Sequence, residues 1–118
     1  MVDKEKLEQS LASLMDAVEV CEGLIAADNQ GNIIVGQTLT EMDHKKIALD
    51  CVNLIKNCDE VGTDISKGKL QDITLTLEDG FLILIGSEQL ILIALAGNDA
   101  LSSLALIRRN LINVLRNQ

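Results

Sequence analysis

The sequence contains no proline, tryptophan or tyrosine, and Phe81 is its single aromatic residue. A single aromatic ring argues against a platform on which nucleobases or a flavin could stack, and the core must be assembled from Leu, Ile, Val and Ala. Basic residues are also scarce: 10 Lys and Arg stand against 18 Asp and Glu, a formal charge of -8. A chain that repels phosphates on average lacks the main source of non-specific nucleic-acid affinity, so no nucleic acid is expected as a partner. Long apolar runs are missing too. The longest, Phe81–Ile85 and Leu90–Ala96, fall far short of the ~20 residues that a membrane helix needs. The charged stretch from Met1 to Glu8 has none of the apolar character of a signal sequence, so no membrane insertion is expected. Cys21, Cys51 and Cys58 are odd in number and show no CxxC spacing, which fits free thiols in a reducing cytoplasm. No Gly-x-x-x-x-Gly-Lys-Ser/Thr or Gly-x-Gly-x-x-Gly pattern occurs; if a nucleotide is hydrolysed, a partner binds it.

What is present is one domain, 1–118, with 47% hydrophobic against 24% charged residues. Leu7, Leu11, Leu14, Met15 and Val18 fall on one stripe, predicting a helix from Asp3 to about Val18 with Asp3 as N-cap. Two strands follow, Cys21–Ala27 and Ile33–Gln37, joined by Asp28-Asn29-Gln30-Gly31-Asn32, residues that tolerate a left-handed backbone and so make a hairpin. A second helix is expected from about Thr40, its N-cap, to Cys58. Gly62 and Gly68 then bracket a polar loop. A meander of strands comes next, Lys69–Leu77, Phe81–Ile85 and Leu90–Ala96, and Gly97-Asn98-Asp99 caps a last helix from Ala100 to Asn117. The last two strands are apolar at every position and should be covered on both faces. The strand before them alternates, with Ile73, Leu75 and Leu77 on one face and Asp72, Thr74 and Thr76 on the other. It reads as an uncapped edge that invites a second copy.

The order helix, hairpin, helix, three-stranded meander, helix resembles the Roadblock/dynein light chain family. Val20-Cys21-Glu22-Gly23-Leu24-Ile25-Ala26-Ala27-Asp28 followed by Gly31-Asn32-Ile33-Ile34-Val35 is similar to that family's opening hairpin. Asp79-Gly80-Phe81 and Leu106-Ile107-Arg108-Arg109-Asn110-Leu111 are similar to its later landmarks. The resemblance spans the chain and is greatest to compact prokaryotic members. It implies an α/β (α+β) sandwich, α-β-β-α-β-β-β-α, in which a five-stranded antiparallel sheet carries the second helix on one face and the two terminal helices on the other. It further implies a homodimer formed through the third strand and second helix, which would make Leu70, Asp72, Ile73, Thr74, Leu75 and Thr76 interface residues. Its functional implication is a non-enzymatic regulator, activator or scaffold of a small Ras-like GTPase. A structural subunit of a motor or membrane-associated complex is the alternative, and a PAS- or profilin-like sensor a more distant one.

The residues carry little chemistry of their own. His44, the only histidine, shares a helix face with Cys51 and Cys58 at seven-residue spacing. Seven residues are ~10 Å of helix, too far apart for ligands that must each approach one metal within ~2.3 Å. No catalytic residue, cofactor or metal is therefore expected. In the second helix Ile47, Ala48, Cys51, Val52, Leu54, Ile55 and Cys58 form the core side. Met42 and Leu49 lie opposite, amid Lys45, Lys46, Asn53 and Lys56, an apolar stripe with a basic and amide rim that reads as an interface, with the second helix of a dimer mate or with a GTPase partner. In the last helix Leu101, Leu104, Ala105, Ile107, Leu111, Ile112, Val114 and Leu115 make the apolar side. Arg108 points into it, lying along apolar surface or pairing with an acidic residue such as Asp16 or Glu19 rather than acting as a catalytic finger.

Overall fold

A computed structural model describes residues 3–87 and 89–118. Helix α1 (Lys4–Ala17) opens on Asp3, whose carboxylate accepts the Lys6 N–H and so satisfies one of the unpaired amides of the first turn. Strands β1 (Cys21–Ala27) and β2 (Ile33–Thr38) follow, then helix α2 (His44–Asp64), strands β3 (Asp72–Leu77), β4 (Gly80–Gly86) and β5 (Ile91–Gly97), a 3₁₀ segment over Asn98–Ser103 and helix α3 (Leu104–Arg116). The five strands form one antiparallel sheet in the order β2-β1-β5-β4-β3. The fully apolar strands are thus interior, and the alternating β3 is an edge, as its pattern requires.

Side-chain alternation divides the interior into two layers. Leu24, Ile83, Leu92 and Ala94 meet Leu7, Leu11 and Leu14 of α1 and Ile107 and Leu111 of α3. On the opposite face Ile25, Leu84, Ile91 and Ile93 meet Ala48, Cys51 and Val52 of α2. One helix therefore covers one face and the two terminal helices the other. The β1–β2 turn is held by Asp28, whose carboxylate accepts the N–H groups of Gln30 and Asn32 and the Asn32 side-chain amide, with Gly31 at φ +85°. These hydrogen bonds, the Asn32 side-chain amide first, hold the Asp28 carboxyl below its ordinary range.

Several boundaries differ from the sequence reading, for local reasons. Helix α2 starts at His44, because Asp43 and not Thr40 is the N-cap and accepts the Lys46 N–H. Thr40 is instead used through its carbonyl, which accepts from the Thr38 hydroxyl. The helix also runs six residues past Cys58, through Gly62, whose carbonyl accepts the N–H groups of both Lys67 and Gly68 at 2.8 and 3.1 Å. A Cβ on Gly62 would collide with the Gly68 carbonyl, so glycine serves close packing inside a helix here rather than ending it. Strand β3 begins at Asp72, not Lys69: the Leu70 N–H is drawn to the Asp59 carboxylate of α2 at 2.7 Å and the chain joins the sheet only beyond it. The last helix begins as 3₁₀ at Asn98 with no side-chain cap, and becomes α-helical at Leu104.

Candidate protein-interaction surface

Helix α2 crosses its face of the sheet obliquely and leaves one corner bare. His44 stands over Gly36 of β2, where only a glycine gives the ring room, and its Nε2 lies 3.0 Å from the Thr38 hydroxyl. Further along, Leu49 packs over Gly31 of the β1–β2 turn, and Ile55 reaches Gly86 at the far end of β4. The opposite ends of β3, β4 and β5 receive no helix. There Met42, Ile47, Leu77, Leu82 and Leu95 line an open hollow of about 500 Å³ on the side of α2 that faces β3. Leu75, Leu82 and Leu95 are half-buried and Leu77 is exposed.

The helix shoulder above this hollow is apolar as well. At about 100° per residue, positions seven apart nearly superpose, so Ile47, Leu54 and Val61 form one line, with Cys58 and the following Ile65 close to it. Burial falls along that line: Ile47 and Leu54 are half-buried, while Val61 and Ile65 are 56% and 59% exposed. The end of this line, Val61 and Ile65, thus leaves aliphatic side chains in water.

The residues expected at a dimer contact divide accordingly. Ile73 packs on the α2 side and Leu75, two residues on, shares that face, whereas Thr74 and Thr76 are exposed on the other side. Asp72 is engaged: Arg108 of α3 donates to its carboxylate from Nε at 3.0 Å and Nη2 at 2.8 Å. Arg108 thus pairs with an acidic residue, but that residue is Asp72 of β3 rather than Asp16 or Glu19, and the bond raises the arginine's pKa. Leu70 lies outside the strand. Leu101, expected on the buried side of the last helix, is 71% exposed, because the 3₁₀ winding of its segment turns it outward.

The expected partner stripe is also rearranged. Met42 precedes α2 and turns into the hollow, so it does not align with Leu49. Leu49, Lys45, Lys46, Asn53 and Lys56 stay together on the outward face, Leu49 at 39% exposure. The rim is less basic than its lysines suggest. Lys46 donates to Asp50 at 2.7 Å, which raises the lysine's pKa, and Lys45 donates to Asn32 at 3.1 Å. The exposed apolar shoulder of α2 is not legible as such in the sequence, because Ile47 and Leu54 read as core. The signal lies in the width of the arc: Ile47, Leu54, Val61 and Ile65 extend an apolar face beyond what one sheet can cover.

Cys21 and Cys51 are buried and Cys58 half-buried, all three as free thiols. Burial, seconded by Asp50, pushes the Cys51 thiol up to about 11. Among the described residues no group of three or more His, Cys, Asp and Glu could hold a metal ion, and no helix is long and apolar enough to cross a membrane.

No family model and no curated protein matches the chain. Solved structures do. Myxococcus xanthus MglB superposes with a TM-score of 0.84 at 14% identity, over 97% of this chain and 86% of that one. The Roadblock/LC7 domain from Streptomyces avermitilis gives 0.80 at 15% identity, over 93% and 92%. The gliding protein MglB from Thermus thermophilus gives 0.82 at 11% identity, over 98% and 92%. At such identities the likeness is one of fold.

Proposed function

We propose that this chain, which has the Roadblock/LC7 fold, is a homodimeric, non-enzymatic regulator or scaffold of a small Ras-like GTPase. The observation that carries the reading is the continuous apolar strip formed by the bare β3 edge, the hollow beside it and the α2 shoulder. A twofold axis through the middle of β3 would pair two such strands edge to edge, extending the sheet to ten strands. The same axis runs the two α2 helices antiparallel. Leu54, the midpoint of the Ile47–Leu54–Val61 line, then meets its own copy, and Val61 of each helix falls toward Ile47 and the hollow of the other. A surface that complements itself in this way is what an isologous interface requires. Burying it answers both the exposed aliphatics and the unpaired strand edge.

The dimer leaves the outward faces of both α2 helices free, with Leu49 and Lys56 presented beside the β1–β2 turns. This is the surface offered to the GTPase: an apolar anchor supplies affinity and the lysines chiefly rate and orientation. The GTPase itself is argued from the family resemblance and from the fold shared with MglB. The dimer is tested by light scattering on Thr74→Pro and Thr76→Pro, each of which deletes a ladder donor in β3. At least one is expected to yield monomer or aggregate; two well-folded dimers would show that the pairing edge is another one.

A further inference from the structure

The charges of this chain are segregated. All 18 acidic residues lie before Leu101, and from Leu101 to Gln118 there is none, while all three arginines, Arg108, Arg109 and Arg116, lie in that stretch. On a chain of net charge -8 the outward side of α3 is thus locally cationic, with the exposed Asp99 at the start of the 3₁₀ segment that leads into it. It is also apolar: Leu101 is 71% and Leu106 46% exposed, with Ala105 exposed between them. Among the described residues neither Arg109 nor Arg116 has an ion-pair partner, and only Arg108 is committed, to Asp72. Arg109 and Arg116 are seven residues apart, so they lie nearly in line and ~10 Å apart along the axis.

We infer that this face of α3 docks an acidic amphipathic helix of a partner protein, independently of the dimer strip on the opposite face of the sheet. The charge complement is specific. Guanidinium forks match carboxylates two hydrogen bonds at a time, and two in line at one helical heptad suit carboxylates repeated at the same interval. The exposed Leu101 and Leu106 give an apolar helix stripe something to cover. An anionic membrane is the poorer match. Each basic residue near such a surface contributes only ~1 kcal/mol, two arginines are uncommitted, and the remainder of the chain is repelled.

The test uses the intact protein and a fluorescein-labelled amphipathic peptide of three heptads with Leu at a and d and Glu at e and g, beside an analogue with Lys for Glu. Fluorescence anisotropy is expected to show saturable, salt-weakened binding of the Glu peptide and not of the Lys peptide. Leu101→Asp, and separately Arg109→Glu combined with Arg116→Gln, should each weaken it about tenfold, or ~1.4 kcal/mol. These side chains are exposed, so circular dichroism melting should stay near wild type and the dimer should persist. The proposal is overturned if the Glu peptide fails to bind, if the Lys peptide binds as well, or if both variants bind like wild type. It is equally overturned if vesicles containing phosphatidylserine bind with the same variant sensitivity while the peptide does not, since the face would then be a membrane contact.

Discussion

Val61 stands at the exposed end of the α2 shoulder, where its own monomer gives it little to touch. Truncating it to alanine removes two methyl groups, each worth ~0.8 kcal/mol on complete burial. Because Val61 is 56% exposed in the monomer, roughly half of that transfer is left to be gained at an interface, ~0.9 kcal/mol per copy. A twofold contact counts the residue twice, so Val61→Ala should cost the dimer ~1.8 kcal/mol and raise its dissociation constant ~20-fold. Val61→Asp should go further, placing a carboxylate against the apolar hollow of each partner and leaving only monomer at micromolar concentration. Sedimentation velocity over a dilution series reads both variants. Thermal unfolding of the monomeric species checks that the fold survives, as it should for a residue mostly in water. If Val61→Asp dimerises like wild type, the shoulder is not at the seam, and the antiparallel arrangement of the two α2 helices is wrong with it.

Other perturbations probe the fold that presents this strip. Leu111→Ala, at a fully buried α3 position, should cost ~2–5 kcal/mol of stability in denaturant unfolding, the range for large-to-small core changes. Gly62→Ala should destabilise even though alanine is the better helix former by ~1 kcal/mol, because the new Cβ meets the Gly68 carbonyl; a gain in melting temperature would show that this turn yields. The Cys51 thiol is raised from 9.0 to about 11 in the folded state. Its contribution to stability is therefore complete below pH 9.0 and is lost as pH rises toward about 11. Cys51→Ala should flatten the fall in melting temperature across that window, and an unchanged fall would assign it to other groups.

Much of the fold can be read in the residues because the local signals agree with one another. The alternation of Ile73, Leu75 and Leu77 marks an edge strand, the uniform apolarity of β4 and β5 marks covered ones, and the Asp28–Asn32 cluster marks the hairpin. The boundaries that mislead are places where a tertiary partner overrides a local preference. Gly62 looks like a helix stop until the Gly68 carbonyl occupies the space a Cβ would need. Lys69–Gln71 looks like strand until Asp59 captures the Leu70 amide. Arg108 could not be placed from its own helix, since its partner, Asp72, lies 36 residues away on another element. The exposed apolar strip is hidden for a related reason. Periodicity shows that Ile47 and Leu54 are on the apolar side of α2, but the width of sheet available to cover them is known only once α2 is seen to cross it obliquely.

The most direct measurement is titration of the wild-type dimer into a small Ras-like GTPase from the same genome, loaded in turn with GDP and a non-hydrolysable GTP analogue. Calorimetry should give saturable binding that depends on the nucleotide, with a stoichiometry referred to the dimer. Leu49→Asp should weaken it by more than ~1 kcal/mol, the usual hot-spot threshold, without dissociating the dimer. Absence of binding in both nucleotide states, with the dimer intact by light scattering, would contradict a role in regulating or scaffolding that GTPase.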